Sequence, residues 1–202
     1  MPPRPVRSAT KVGDRLDDPD GALVLRAQAG DREAFEQLVR RHTDRVYAVA
    51  RRLGLPSDAA EEVTQEAFLR AWRGIGSFEG QARFFTWLYR IGLNEAKRRL
   101  AREPTRPLIR SLDEDGAVDP PDVRDEPYAR VTQAELRGAV ADAVHGLALK
   151  YRVPLVLRDI EGLSTADAAA IVGLSEAAFK SRLHRARAAV REAIEAAFGG
   201  EP

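Results

Sequence analysis

The stretch from Ser175 to Arg191 concentrates side chains that can bind DNA. Against one acidic residue, Glu176, it carries five cations: Lys180, Arg182, Arg185, Arg187 and Arg191. Arginine and lysine bind both phosphates and the guanine edge in the major groove. A solvated surface helix would instead mix acidic residues among the cations, at the spacing that allows pairing. The pattern therefore favours a DNA-binding helix over an ordinary solvated face.

A helical projection of this stretch separates an apolar side from a polar one. The apolar side is predicted to pack inward and carries Phe179, Leu183, Ala186 and Val190. The opposite side, which a major groove would meet, carries Ala177, Ser181, His184 and Ala188, flanked by Lys180 and Arg185. Arg187 falls toward the edge, where phosphates would lie.

The residues that precede this helix predict a helix-turn-helix. Ser164 and Asp167 have the spacing of a helix-capping pair, and Ser175 can cap the second helix. Gly173 lies between the two helices, where a tight turn needs a residue without a Cβ penalty. In this motif the second helix is the one that enters the major groove.

Helical periodicity covers two parts of the chain, and neither contains a convincing strand. The first part begins at Asp20, turns at residues 30–31 and 54–57, and ends with a helix predicted over residues 82–103. In the second part, helices are predicted over residues 130–146, 148–158, 165–172 and 176–197.

The segments outside these helices differ in composition. Residues 1–19 are rich in proline and charge and are predicted to form a disordered tail, while residues 104–127 hold five prolines among acidic residues. The predicted fold class is therefore all-α, with two small helical domains over residues 20–103 and 128–198. A flexible, acidic, proline-rich linker joins them.

Composition excludes several functional classes. The 202 residues contain no cysteine and three scattered histidines, which argues against disulfides and zinc sites, and no cofactor is expected. Neither a signal peptide nor an apolar run of about 20 residues is present, so we expect a cytoplasmic protein without membrane insertion. No nucleophile–base set, carboxylate pair or phosphate loop indicates an enzyme.

The net charge of +1 hides a segregation of charge along the chain. Residues 83–106 and 175–191 are basic, and residues 111–126, between them, are acidic. This arrangement is typical of two polyanion-facing surfaces joined by a segment that avoids them. Solvated helix faces explain the same charges equally well, so charge alone leaves both interpretations open.

Four motifs and the acidic linker occur in a characteristic order: "DREAFEQLVRRH", "DAAEEVTQEAFLRAW", "SFEGQARFFTWLYRIGLNEAKRRL", the linker, and "VPLVLRDIEGLSTADAAAIVGLSEAAFKSRLHRARAAV". In these motifs the chain resembles a bacterial RNA polymerase sigma factor of the extracytoplasmic-function (ECF) group. The resemblance covers residues 20–196. It implies a specificity subunit without catalytic residues of its own, built from sigma region 2 over residues 20–103 and sigma region 4 over residues 128–198.

The resemblance also implies partners and binding residues. Such factors bind core RNA polymerase, at the β′ clamp helices and the β flap, and promoter DNA, and an anti-sigma factor commonly restrains them. By match, the polymerase-binding residues are Glu62, Gln65, Glu66 and Arg70. The −10 element would be recognised and opened by Gly80, Gln81, Ala82, Arg83, Asn94, Lys97 and Arg98. The −35 element would be read by Lys180, Ser181, His184, Arg185 and Arg187.

The residues themselves support the −10 assignment in part. An unstacked base needs a pocket or platform, which the loop over residues 79–83 and the aromatic residues after it could provide. Asn94 can bond a base edge, and Lys97 and Arg98 can hold phosphates. Phe84, Trp87, Leu88 and Ile91 share one helix face, however, and are predicted to lie mostly in the core.

Two departures from the family pattern leave the promoter sequence open. Phe179 stands where many members have a smaller residue, and Arg83 stands where many have a small polar one.

Two alternatives remain at this point. Read without the resemblance, Glu62, Gln65 and Glu66 form an ordinary solvated face. A stand-alone helix-turn-helix regulator would explain residues 163–190, but it would leave the first domain unexplained and would normally dimerise.

Overall fold

A computed structural model of the chain describes residues 18–102 and 132–198. These residues form helices and contain no strand, which confirms the all-α prediction for the described part of the chain. Most residues of the first four helices form one compact unit, and the last four helices belong to another. The predicted linker over residues 104–127, and residues 1–17 of the predicted tail, lie outside the described residues.

The described residues of the first unit form four helices and one short turn of 3-10 helix. The helices are α1 (Gly21–Gln28), α2 (Arg32–Arg52), α3 (Ser57–Gly74) and α4 (Phe84–Arg102), and the 3-10 turn is Ile75–Ser77. Each helix buries the apolar residues that recur at three- and four-residue spacing, and Leu38, Phe84 and Leu88 expose no surface at all. Burial of one such side chain contributes about 1.5–3 kcal/mol. The core thus fixes which helix faces remain outside.

Helix α4 approaches α2 closely at Gly92. A Cβ at this position would lie 3.2 Å from Cγ1 of Val46 and 3.8 Å from Cβ of Ala67. The approach to Val46 is tighter than an ordinary contact, so glycine lets the middle of α4 lie close against α2, while the distance to Ala67 of α3 is an ordinary contact.

A buried carboxylate ties α1 to α2. Asp20 precedes α1, and its two oxygens lie 2.7 Å from Nε2 of His42 and 2.6 Å from a guanidinium nitrogen of Arg41. Burial alone would raise the pKa of Asp20, but the hydrogen bonds and charges of His42 and Arg41 outweigh it and lower this pKa below its ordinary value. The charged form is thus the form that the fold stabilises.

Helix α4 begins at Phe84, two residues later than the sequence predicted. The backbone N–H of Phe84 donates to a carboxylate oxygen of Asp18, at 2.7 Å. Asp18 is 66 residues away in the chain, but its carboxylate caps the first turn of α4. The sequence around residue 84 therefore contains no signal for this boundary.

The second unit is built from α5 (Gln133–Gly146), α6 (Leu149–Leu155), α7 (Thr165–Val172) and α8 (Glu176–Phe198). Helix α5 begins three residues later than predicted, because Thr132 and Glu135 form a reciprocal capping box at its start. Helix α6 is shorter than predicted and continues as a wider π turn, Val156–Ile160, in which the N–H of Glu161 donates to the carbonyl of Val156.

The helix-turn-helix forms as predicted. The N–H of Asp167 donates to the Ser164 hydroxyl, at 3.0 Å, and the N–H of Ala178 donates to that of Ser175, at 3.2 Å. Gly173 adopts a φ of 71°, in the left-handed region that favours glycine. The local capping residues and the turn glycine are therefore sufficient to define this motif.

The inward face of α8 differs from the prediction at one position. Phe179, Leu183 and Ala186 are buried, but Ala189 is buried in place of Val190, which is only partly covered. An α-helix has 3.6 residues per turn, so residues at a spacing of three or four drift around the helix over several turns. The buried stripe has therefore moved from Val190 to Ala189 near the end of the helix.

We predict that Asp20→Ala destabilises the first unit by roughly 1.5–3 kcal/mol, the usual cost of losing hydrogen bonds to a charged group. Urea denaturation of the full chain measures this loss. Asp44→Ala, which removes an exposed carboxylate from α2, is the control and should change stability by less than about 0.5 kcal/mol.

The loss should also depend on pH. Since the pKa of Asp20 is lowered in the folded state, its stabilisation is present above the ordinary pKa and disappears as pH falls through the lowered value. The difference between wild type and Asp20→Asn should therefore shrink in acid. A difference that grows on acidification would contradict the proposed role of the carboxylate.

Candidate nucleic-acid interface

The outer face of α8 presents the predicted DNA-reading residues together. Lys180, Ser181, His184 and Arg185 are all exposed, while Phe179, on the opposite side, is fully buried. Phe179 can therefore affect DNA binding only through the packing of the helix. Ala177 is also exposed and Ala188 is half-buried, so small residues lie among the cations and leave room for a close approach to a groove.

Arg187, one of the predicted −35 residues, forms an ion pair with a carboxylate. Its Nε lies 2.8 Å from one oxygen of Asp159 and a terminal nitrogen lies 2.6 Å from the other, a bidentate ion pair. The hydrogen bond that the guanidinium donates to Asp159 raises the pKa of Arg187 above its ordinary value. Asp159 belongs to the π turn before the helix-turn-helix, and sequence reasoning missed it, because no periodicity links residues 28 positions apart.

The loop between the 3-10 turn and α4 carries four of the predicted −10 residues. Gln81, Ala82 and Arg83 are exposed and Gly80 is half-buried, and the Gln81 amide donates to the Glu79 carboxylate, at 2.9 Å. The loop is short and lies outside the core, so its backbone and side chains are accessible.

An aromatic cluster forms the base of this loop. The ring centroid of Phe78 lies 6.1 Å from that of Phe84 and 5.0 Å from that of Trp87. Phe84 and Leu88 are buried as predicted, whereas Trp87 and Ile91 are only partly covered. Trp87 thus packs against Phe78, at the start of the loop.

The polar face of α4 carries the other predicted −10 residues. Asn94 and Arg98 are exposed and Lys97 is half-buried. Arg98 donates to the Glu95 carboxylate, at 2.6 Å. Glu95 is largely covered, and it was not among the predicted site residues.

The predicted polymerase-binding row on α3 lies beside this face. Glu62, Gln65 and Arg70 are exposed and Glu66 is half-buried. Arg70 bridges Glu66, at 2.7 Å, and Glu95 of α4, at 3.0 Å. Glu62 lies 3.1 Å from Arg99, also of α4. The structure therefore joins two predicted sites through ion pairs, a connection that their positions in the sequence do not show.

An apolar groove borders the same row. It lies between α2 and α3, has a volume of about 670 Å³, and is lined by Phe35, Val39, Gln65, Phe68, Leu69 and Trp72 among others. Leu69 is half exposed, and the ring of Phe35 packs at a tilt against that of Trp72, with centroids 4.9 Å apart. An exposed apolar groove is more typical of a protein-binding surface than of a solvated helix face.

Within residues 18–102 and 132–198, no group of three or more histidine, aspartate or glutamate side chains could hold a metal ion. No helix in the same ranges is long and apolar enough to cross a membrane.

Two sequence families match the chain, one in each helical unit. Residues 38–105 match Sigma-70 region 2, and residues 137–190 match Sigma-70, region 4. The ECF RNA polymerase sigma-E factor of Haemophilus influenzae is 36% identical to the chain, over 87% of the chain and 95% of the relative. The RNA polymerase sigma-H factor of Pseudomonas aeruginosa is 34% identical, over 87% and 94%.

Solved structures show the same likeness. CnrH, solved in complex with the cytosolic domain of CnrY, superposes with a TM-score of 0.65 at 31% identity, and covers 91% of this chain and 97% of its own. The sigma factor RpoE of Bartonella quintana, solved with the anti-sigma factor NepR, gives a TM-score of 0.59 at 27% identity, over 80% and 96% of the two chains.

The Asp159–Arg187 pair leads to a prediction about charge. Asp159→Asn should increase the affinity of the chain for duplex DNA and make the salt dependence steeper by about one phosphate contact, because Arg187 loses its carboxylate partner. The cost in folding stability should be small, about 0–1 kcal/mol, since the pair is largely exposed. Fluorescence anisotropy at several salt concentrations measures both affinity and slope.

Asp142→Asn removes an exposed carboxylate from α5 and serves as the control for the change in net charge. If both variants gain affinity equally, the effect is one of overall charge and Arg187 plays no special part.

Proposed function

The chain belongs to the ECF group of bacterial RNA polymerase sigma factors, and from that membership we propose how its two helical units share the work. As a sigma factor it binds core RNA polymerase and directs initiation at specific promoters, and it is not itself an enzyme. The observation that carries the proposal is the exposed face of α8, which presents four polar or cationic side chains on a helix whose opposite face is buried.

The second unit, proposed over residues 128–198, reads the −35 element. Lys180, Ser181, His184 and Arg185 reach base edges or the adjacent backbone. Arg187 contacts a phosphate once it leaves Asp159, since the bidentate geometry that suits a carboxylate also suits a phosphate.

The first unit, proposed over residues 20–103, opens the −10 element. The loop over residues 80–83 captures an unstacked base above the aromatic cluster, while Asn94, Lys97 and Arg98 bind the neighbouring strand on α4. Arg98 makes this contact when a phosphate replaces Glu95 as its partner.

The row of Glu62, Gln65, Glu66 and Arg70 docks on the β′ clamp helices of core polymerase, and the second unit contacts the β flap. Gln65 supports this assignment because it is exposed and also borders the apolar groove. Protein interfaces combine an apolar centre with a polar rim, and α3 supplies both.

An anti-sigma factor is the regulatory partner that we propose. The solved relatives CnrH and RpoE support it, because each was solved bound to a second protein, named as an anti-sigma factor in the case of NepR. We place the action of the chain in the cytoplasm, where RNA polymerase and the chromosome meet. A stand-alone helix-turn-helix regulator is disfavoured, because the region 2 match and the α3 surface would have no role.

We predict that the double substitution Gln65→Ala with Glu66→Ala weakens binding to core RNA polymerase by about tenfold, since central interface residues commonly contribute more than 1 kcal/mol. The measurement is a titration of purified bacterial core enzyme, followed by run-off transcription from genomic fragments. Transcripts that start at specific sites with wild type also identify the promoter.

Glu61→Ala is the matched control, since Glu61 is an exposed residue of α3 outside the proposed row. Normal core binding by the double variant would show that the docking surface lies elsewhere. Failure of the wild-type chain to bind core enzyme, combined with sequence-specific binding to DNA alone, would favour the stand-alone regulator.

Arg185→Ala should cost about 1–3 kcal/mol in binding to the identified promoter and relax the preference at one base pair, if Arg185 reads a base. Arg191→Ala, which removes a cation from a later turn of α8, should weaken all sequences alike and lower the salt slope by about one. Competition binding with single-base variants of the −35 element separates these two effects. If Arg185→Ala weakens binding to all of these sequences equally, Arg185 contacts the phosphate backbone and does not read a base.

A further inference from the structure

The −10 loop has its two ends held by side chains from a part of the chain that no residue assignment above includes. Residues 79–83 connect the 3-10 turn to α4, and the polar backbone groups at both junctions bond to Asp18 and to α1. Neither Asp18 nor Gln28 lies near the loop in sequence. Because both reach it from one short segment, this segment controls the geometry of the loop.

The first junction is held by Gln28. Its side-chain amide donates to the carbonyl of Ile75, at 2.9 Å, and to the carbonyl of Phe78, at 2.7 Å. Both donors of the amide are thus used on backbone oxygens that flank the 3-10 turn. Phe78 is the last residue before the loop, so Gln28 fixes the point from which the loop departs.

The second junction is held by Asp18. One carboxylate oxygen accepts the N–H of Phe84, where the loop ends, and the other accepts the N–H of Asp20, at 3.1 Å. The first N–H groups of a helix have no partner within the helix, and a negative charge is favourable at that end. Asp18 therefore fixes the return of the chain into α4.

The segment that carries these two residues is itself anchored. Leu23, Val24 and Ala27 of α1 are buried, and Asp20 binds His42 and Arg41 of α2. Asp18 and Gln28 flank this anchored stretch, so they move with the core of the unit and not with the loop. The rings of Phe78 and Phe84 also meet across the base of the loop.

We propose that Asp18 and Gln28 are positioning residues for promoter opening, a clamp that holds both ends of the −10 loop in the geometry that receives an unstacked base. The proposal rests on the function proposed above for residues 80–83. Fixing the ends in advance lowers the conformational entropy that the loop must lose when single-stranded DNA binds. Neither residue needs to touch DNA.

The test uses holoenzyme assembled from core RNA polymerase and the full chain, with two DNA probes from the promoter found by run-off transcription. One probe is the single-stranded non-template −10 oligonucleotide, and the other is the −35 duplex. Gln28→Met keeps the length of the side chain but removes both donors, and Asp18→Ala removes both acceptors. Each should weaken binding of the −10 oligonucleotide by about 5- to 30-fold, the effect of losing two hydrogen bonds.

Controls separate positioning from general stability. Gln37→Met makes the same exchange at a half-buried residue of α2 and should bind all probes like wild type. Asp18→Asn retains one acceptor oxygen and should recover part of the affinity that Asp18→Ala loses. The affinity for core polymerase and for the −35 duplex should stay unchanged in every variant. If the two residues served only to stabilise the fold, these affinities would fall as well.

Three results would overturn the proposal. Wild-type binding of the −10 oligonucleotide by both clamp variants, while Arg83→Ala weakens it, would refute the clamp and keep the loop assignment. A parallel loss of core affinity in the clamp variants would make both residues structural only. Unchanged binding with Arg83→Ala and with Gln81→Ala would refute the proposed role of the loop, and the clamp with it.

Discussion

The arrangement of the first unit depends on the buried carboxylate of Asp20. A charge removed from water is stable only if it is paired and hydrogen-bonded, and here both oxygens are used, by His42 and by Arg41. Because these partners are neighbours on α2, the carboxylate fixes where α1 begins. Asp18 and Gln28, on either side, then reach opposite ends of the loop over residues 79–83. One buried interaction thus anchors the segment whose side chains bond to both ends of a loop more than 50 residues further along the chain.

The surfaces assigned to polyanions neutralise several of their own cations. Arg187 is paired with Asp159, Arg98 with Glu95, and Arg99 with Glu62. A largely exposed pair such as Arg187 with Asp159 contributes only about 0–1 kcal/mol to folding, so it can be exchanged for a phosphate at little cost. Each acidic partner offsets the charge of one cation, so these pairs reduce the electrostatic attraction of the two surfaces to any polyanion. In the proposed function, discrimination between promoters depends more on the exposed face of α8 than on total charge.

Local signals predicted the second unit better than the first. Ser164, Gly173 and Ser175 act within a few residues of their own position, so the helix-turn-helix followed from sequence. The capping box at Thr132 carried the same kind of signal and was overlooked, which displaced the predicted start of α5. The outward face of α8 was predicted because helical periodicity alone decides it.

The connections between helices could not be predicted in the same way. The bonds from Gln28 to Phe78 and from Phe84 to Asp18 span 50 and 66 residues, and neither belongs to a repeating pattern. The ion pair between Arg70 of α3 and Glu95 of α4 depends on how these helices pack, and no local sequence signal predicts that packing. Motif resemblance supplied the residues of each proposed interface, but it did not supply the contacts between the interfaces.

Promoter opening explains why such long-range contacts matter. Unstacking a base step costs a few kcal/mol, and the binding energy of the protein must supply it. A loop that had to become ordered during this step would add roughly 1–2 kcal/mol for each backbone residue fixed, which could exceed what one captured base returns. The proposed clamp, which holds the loop over residues 79–83 at both ends, would remove much of this cost before DNA arrives. The aromatic cluster beneath it, with Phe78 and Phe84 in contact, serves the same end, because it prevents the two junctions from separating.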